Sequence, residues 1–269
     1  AIEKAITPKT KAIIPVHLFG LAANMDEVMA LAEKHNLYVI EDNAQGIGAT
    51  YTSKTGQKKM TGGIGHVGST SFFPSKNLGC YGDGGAIFTN DDDLAHVIRG
   101  IVNHGMYKRY HHDVVGVNSR LDSIQAAVLR AKLPKLDQYN TTRRNTARKY
   151  TMAFAGIQNI VTPTGFCDSS SSICDTCDCH VFHQYTLQVK NIDRDALVAH
   201  LNANDIPCGV YYPIPLHLQK AYADTRYKEA DFTVTNRLVK EVVSLPMHTE
   251  LDDEQIAFIT KTLIDFVTK

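Results

Sequence analysis

Residues 11–42 read KAIIPVHLFGLAANMDEVMALAEKHNLYVIED, and this stretch decides the fold. Residues 11–16 (KAIIPV) form an apolar run of buried-strand length. Between 25 and 35 the apolar residues Met25, Val28, Met29, Leu31 and Ala32 recur at helical spacing. Residues 37–40 (LYVI) are apolar again and end on Glu41 and Asp42. Strand, helix, strand over this length predicts a βαβ unit with parallel strands, because a parallel pair needs a crossover of a dozen residues or more. Parallel sheets are covered on both faces, and ligands sit beyond the carboxyl ends of their strands. Asp42 stands at such an end.

Downstream, residues 50–65 are polar and Gly-rich and predict a surface hairpin or excursion. Residues 67–73 and 85–89 (GAIFT) are further strand candidates. Asn90-Asp91-Asp92 is a helix start that 94–101 continues. A long helical stretch runs from Ser123 towards Tyr150 with Pro134 inside it, which predicts a kink or break there. After Ala155 the texture changes. Residues 162–180 (TPTGFCDSSSSICDTCDCH) are a polar, low-complexity loop. Residues 181–189 alternate like a half-buried strand, 193–204 form an amphipathic helix, 211–215 (YYPIP) are extended and stiffened by proline, and 254–268 form a closing helix. The expectation is an α/β domain over 1–150 and a smaller α+β domain over 151–269, without internal repeats.

The chain has 269 residues, with 28 Lys plus Arg against 28 Asp plus Glu. That balance gives no field to gather nucleic acid or an anionic membrane, so neither is an expected partner. No run of eighteen apolar residues and no secretory leader pattern occur, and a cytoplasmic protein is expected. Four of the six cysteines (Cys167, Cys174, Cys177, Cys179) crowd into the 167–180 loop. Without a secretion signal a chain of this size is not expected to carry a disulfide framework. Cys174, Cys177, Cys179 and His180 could supply soft metal ligands, but the usual second pair at longer spacing is missing. A variable surface loop is the preferred reading, and no metal is assigned. Gly63, Gly65 and Gly68 spell G-x-G-x-x-G, yet a polar loop precedes them and a strand follows, which is the wrong context for a dinucleotide site. Lys108, Arg109, His111 and His112 make a basic patch, either a solvated loop or an approach path for an anionic ligand.

The most informative chemistry lies in residues 69–85, STSFFPSKNLGCYGDGG. Lys76 has an apolar approach and a Gly-rich exit, the setting of a lysine that enters a pocket. A desolvated lysine loses its proton more readily, which suits imine formation with a carbonyl. From local composition alone, a loop lysine between two strands is the favoured reading. Asp42, at the end of a buried strand, is costly unless paired. It either caps the next turn or faces a ligand cation such as a pyridinium nitrogen, whose proton it would keep in place.

Four segments occur in order: EDNAQ (41–45), SFFPSKNLGCYGDGGAIFTNDD (71–92), VGVNSRLDSIQAAVL (115–129) and YYPIPLHLQKAY (211–222). Together they resemble the DegT/DnrJ/EryC1/StrS sugar aminotransferases over nearly the whole chain. The resemblance implies a pyridoxal-phosphate-dependent transferase fold of the aspartate-aminotransferase type (fold type I), with a mixed, mostly parallel sheet flanked by helices. It is most similar to enzymes of polysaccharide and lipopolysaccharide biosynthesis that aminate UDP-2-acetamido-2-deoxy-3-oxo-glucuronate with glutamate as donor. Lys76 then matches the Schiff-base lysine, Asp42 the acid at the pyridine nitrogen, Gln45 a group near the ring hydroxyl, and Ser71 a phosphate-binding hydroxyl. Asn118 matches an amide reaching the phosphate from the neighbouring subunit, and Arg120 could reach the sugar acid of that same site. Tyr211 and Tyr212 fall where the small domain lines the sugar pocket. A homodimer with shared sites follows. Dehydratase-type relatives carry histidine in place of the lysine, so Lys76 favours transamination.

The family's Gly-Thr helix start for the phosphate and its ring-stacking aromatic have no counterpart in the chain. The natural polypeptide is therefore expected to begin earlier, and the cofactor grip of 1–269 to be weaker. Two other readings stay open: an aminotransferase for a 4-keto-6-deoxy sugar nucleotide, and an inactive fragment or regulatory homologue.

Overall fold

A computed structural model of the chain describes residues 1–164 and 178–269. They form two compact units, residues 1–141 with 178–183, and residues 142–164 with 184–269.

The first unit opens with a one-turn helix, α1 (Ile2–Ala5). The βαβ unit follows as β1 (Ala12–Ile13), α2 (Met25–His35) and β2 (Tyr38–Asp42). β1 is shorter than the apolar run suggests. Pro15 has no N–H for a ladder; its carbonyl accepts from Asp42 N at 2.9 Å, and Val16 makes an isolated parallel bridge to Asp42. Met25, Val28 and Ala32 of α2 pack on Leu37 and Val39, the helical stripe meeting the inward side of the strand. The 50–65 excursion is the hairpin β3 (Thr50–Thr52) and β4 (Lys58–Met60). β5 (Val67–Ser71) and β6 (Gly85–Phe88) complete a four-stranded sheet in the order β1-β2-β5-β6. β1, β2 and β5 are parallel, and β6 is antiparallel to β5.

Asp91 caps α3 (Asp92–Val102) by accepting from Leu94 N at 2.9 Å. An exposed hairpin, β7 (Met106–Lys108) and β8 (His111–His112), carries the basic patch. The helical stretch around Pro134 divides into α4 (Ser123–Lys132), a 3₁₀ turn (Leu133–Lys135) and α5 (Leu136–Ala153). Proline cannot donate to the turn before it, so the break falls there. Leu129 and Leu136 pack with Phe72, Leu78 and Cys80 beneath the segment that bears Lys76.

The second unit contains β9 (Ile160–Val161), β10 (Tyr185–Val189), α6 (Arg194–Ala203), α7 (Thr233–Glu241), β11 (Val242–Leu245) and α8 (Asp253–Val267). Its sheet is antiparallel in the order β11-β10-β9. Tyr150 of α5 is fully buried against Tyr185, with ring centroids 5.0 Å apart, and its hydroxyl donates to the Pro246 carbonyl at 3.0 Å. Asp193 and Asp252 cap α6 and α8.

The strand expected over 181–189 begins only at Tyr185. Residues 178–183 instead form a strap on the first unit. Thr50 N donates to Asp178 O, Ala22 N to Cys179 O, and Val181 N to Gly20 O, at 2.9–3.0 Å. Phe182 takes the left-handed region with φ 44°, which no strand accommodates. The metal-ligand candidates Cys174 and Cys177, like Cys167, lie outside the described residues; His180 stacks on Phe182 at 3.7 Å, and its Nδ1 accepts from Phe182 N.

Complete burial pushes the His180 imidazole down to about 3, against a weaker opposing hydrogen bond at Gly20. The unfolded chain takes up this proton near pH 6.5, whereas the folded chain does not until about pH 3. The unfolded state therefore binds more protons in this window, and stability falls as pH drops through it, at up to about 1.4 kcal/mol per pH unit. Urea unfolding followed from pH 6.5 to 4 should show this acid slope and lose most of it in His180→Gln. An unchanged slope in the variant would contradict the assignment.

Candidate active site

The site grows from the carboxyl end of β2. Strand alternation sends Glu41 and Asp42 to opposite faces. Glu41 is fully buried. It accepts from the backbone N–H groups of Gly62, Ile64 and Gly65 at 2.6–2.7 Å, and from His17 Nε2 at 2.9 Å. His17 Nδ1 accepts from Ala23 N at 3.0 Å, so the ring proton sits on Nε2 and points at Glu41. Burial works against the Glu41 charge, yet His17 and the three amides hold its carboxyl below the usual range. Leaving a buried group without one of its hydrogen-bond partners costs about 1–3 kcal/mol, more for a charged group. This network fixes the loops on either side of the strand end.

Asp42, on the other face, is half-buried. Its backbone is held between Pro15 and His17 on one side and β5 on the other, where it stands opposite Ser69. Oδ1 accepts from Ala44 N at 3.0 Å, so the turn-capping role is real. Oδ2 has no hydrogen-bond partner among the described residues, which leaves one oxygen for a ligand. Gln45 follows on the same turn. Its Oε1 accepts from Phe19 N at 2.6 Å, leaving the Nε2 amide protons as the free end. Phe19 sits at φ 58° and Gly20 at φ 97°. A Cβ on Gly20 would lie 2.8 Å from the Val181 side chain and 3.1 Å from the Gln45 carbonyl, so this close approach requires glycine.

Ser71 closes β5. Its Oγ accepts from Phe73 N at 3.2 Å, and the hydroxyl hydrogen stays free to donate. Lys76 lies on the turn beyond, its own N–H held by the Phe73 carbonyl at 2.9 Å. Its amine is half-buried and makes no hydrogen bond or ion pair among the described residues. Burial lowers its pKa from that of an ordinary lysine, and the nearby Asp42 charge partly offsets this. Asp42 is thus within electrostatic reach of Lys76 without touching it. A partly desolvated amine, a carboxylate oxygen, a side-chain amide and a hydroxyl, each with a free polar end, fit an aldehyde carried on a protonated pyridine ring with an anionic arm. The donor set is the one pyridoxal phosphate needs.

The other residues picked out from the sequence stand elsewhere. Asn118 and Arg120 are exposed, and Arg120 Nε donates to Asn118 Oδ1 at 3.2 Å. Both line a cleft of about 990 Å³ along β6 and α3, and Lys76 is not among its lining residues. Tyr211 and Tyr212 are exposed in the second unit with their rings edge to face, centroids 5.7 Å apart. Three residues that sequence reasoning passed over, His17, Glu41 and Asn77, brace the site through buried hydrogen bonds. Only Glu41 left a signal, a carboxylate placed directly after the apolar run 37–40.

The sequence model of the DegT/DnrJ/EryC1/StrS aminotransferase family matches residues 1–264. The chain is 47% identical over 264 residues to a UDP-N-acetyl-3-dehydro-alpha-D-glucosamine 3-aminotransferase of Acidithiobacillus ferrooxidans, covering 97% of this chain and 66% of that protein. It is 45% identical over 262 residues to the UDP-2-acetamido-2-deoxy-3-oxo-D-glucuronate aminotransferase of Pseudomonas aeruginosa, covering 97% and 67%. The crystal structure of S. venezuelae DesV in complex with a ketimine intermediate superposes with a TM-score of 0.89 at 37% identity, covering all of this chain and 68% of that one. The chain thus spans about two thirds of the length of the relatives it matches. On the sequence match and the fold together, the chain belongs to the DegT/DnrJ/EryC1/StrS aminotransferase family.

Proposed function

We propose that the protein transfers an amino group from glutamate to the keto carbon of a UDP-linked sugar, with pyridoxal 5′-phosphate as cofactor and Lys76 as the residue that holds it. The observation that carries this reading is the placement of Asp42 at, and Lys76 beyond, the carboxyl ends of the adjacent parallel strands β2 and β5, the amine half-buried and Asp42 Oδ2 without a hydrogen-bond partner among the described residues. When bound, the cofactor supplies an aldehyde that carries the amino group and a protonated ring that draws electron density from the reacting carbon. With the cofactor bound, Asp42 Oδ2 would hold the ring-nitrogen proton, Gln45 would donate an amide proton at the ring hydroxyl, and Ser71 would donate to the phosphate. Lys76 would hold the aldehyde and, as a free amine, would serve as the acid and base for the substrate carbon. Its lowered pKa keeps more of the free amine available as a base near neutral pH than an ordinary lysine would have.

The substrate is read as UDP-2-acetamido-2-deoxy-3-oxo-glucuronate. Both relatives are named for a UDP-bound acetamido sugar with its keto group at carbon 3. That position argues against a 4-keto-6-deoxy substrate. Arg120 is the cation proposed to meet the uronate carboxyl, and Asn118 to meet the phosphate, both on the site of a second copy. Tyr211 and Tyr212 are proposed to line the sugar pocket. The minimal unit is then a homodimer. Domain limits of 1–150 and 151–269, and a cytoplasmic location, remain part of the same reading. Among the described residues no helix is long and apolar enough to cross a membrane.

The direct test is a panel of UDP-sugars carrying the keto group at carbon 3, with and without the carboxyl, given with glutamate and followed by 2-oxoglutarate release. Preference for the uronate that falls in Arg120→Ala supports the reading. Equal turnover of both sugars removes the role given to Arg120.

A further inference from the structure

Lys76 is followed by a residue whose side chain does not reach the ligand side at all. Asn77 is 7% exposed. Its Nδ2 donates to Asn140 Oδ1 at 2.8 Å and to the Val181 carbonyl at 3.0 Å, so both amide protons are used. Its Oδ1 faces His183 Nδ1 at 3.4 Å. Asn140, on α5 and 1% exposed, passes the connection on: its Nδ2 donates to the Ile47 carbonyl at 3.2 Å. Gly48 (φ 82°) makes room for this, because a Cβ there would come within 2.5 Å of Asn140 Nδ2. On the other side, the strap residue Val181 donates its N–H to Gly20, whose neighbour Phe19 holds the Gln45 amide.

The chain of contacts therefore closes on itself. One route runs Asn77–Asn140–Ile47, back to the turn that carries Asp42 and Gln45. The other runs Asn77–Val181–Gly20–Phe19–Gln45. Two buried asparagines and a strap tie the Lys76 turn to the turn bearing its partner groups, beyond the bonds from Asn43 N to Ser69 O and from Thr70 Oγ1 to Asn43 O that join the latter turn to β5.

We propose that Asn77 is a positioning residue that, through Asn140 and Val181, fixes where the Lys76 amine stands relative to Asp42 and Gln45. The inference rests on the functional reading above. Catalytic groups need placement to within about half an ångström, and the local bond from Lys76 N to Phe73 O and the packing of Leu78 and Cys80 fix the turn without relating it to Gln45, as the Asn77 contacts do.

The test needs no turnover. Chain 1–269 is mixed with pyridoxal phosphate, and the rate of appearance and pH midpoint of the Lys76-bound absorbance are read by stopped flow, with the adduct reduced and located by mass spectrometry. Asn77→Ala is expected to slow capture at Lys76 at least tenfold and to shift the midpoint, and Asn140→Ala to reproduce much of both effects without lying next to Lys76. Leu197→Ala, a buried leucine in the second unit, serves as a variant of comparable stability loss. If it alters capture and midpoint as much as Asn77→Ala does, or if Asn77→Ala leaves both unchanged, the positioning role is overturned. Should Asn77→Ala not fold, Asn140→Ala decides by the same criteria. A wild-type chain that gives no adduct at Lys76 would instead sink the functional reading itself, so the two failures are distinguishable.

Discussion

Lys76→Ala is expected to lower glutamate-dependent amino transfer by about four orders of magnitude or more while the fold survives. Two contributions vanish together: the covalent hold on the cofactor and the mobile base, and a positioned general base alone is worth roughly 10²–10⁴-fold. The fold should tolerate the change because the Lys76 amine makes no bond among the described residues and the turn is held by backbone and by Asn77. Steady-state turnover with a keto UDP-sugar, alongside circular dichroism, measures both. Turnover within tenfold of the wild type would remove Lys76 from the chemistry. Lys76→Arg should not restore it, since a guanidinium stays protonated and cannot form the required bond.

Asp42→Asn is the second large effect. The substitution keeps the shape and the Ala44 cap but removes the charge. With no acid at the ring nitrogen, the ring loses its proton near neutral pH and its electron-withdrawing power. A loss of roughly 10²–10⁴ in turnover is expected, the range of other single preorganised charge contacts. The same change has a consequence on the apoprotein. Asp42 opposes the effect of burial on Lys76, so its removal lets the Lys76 pKa fall further. The pH profile of Lys76 acylation, read by peptide mass mapping, should move to lower pH in Asp42→Asn. A shift upward, or none, would mean that the two groups do not interact.

The βαβ core was legible because its signals are local. The stripe Met25, Val28, Ala32 and the strand residues Leu37 and Val39 meet in one cluster, as their periodicity requires. Pro134 announced the break between α4 and α5 for an equally local reason. The misses share a different cause. Burial alternates as expected over 183–189, but residues 181–183 are all buried, within a strap held by the Gly20 and Asn77 contacts and not by a strand ladder. α7 went unread because its first turn, Thr233-Val234-Thr235, is β-branched and favours strand. Within the site, Lys76 and Asp42 stood out through motif resemblance rather than composition, since Lys76 alone fits a loop lysine. The support around them was invisible for a plain reason. The partners of Asn77 lie 63 and 104 residues away, and those of Glu41 include His17, 24 residues before it.

The most direct test of the account is the visible absorbance of chain 1–269 with added pyridoxal phosphate, before and after glutamate. The account predicts a band that depends on Lys76 and bleaches when glutamate takes over the cofactor. A spectrum identical to that of Lys76→Ala, with no response to glutamate, would contradict it.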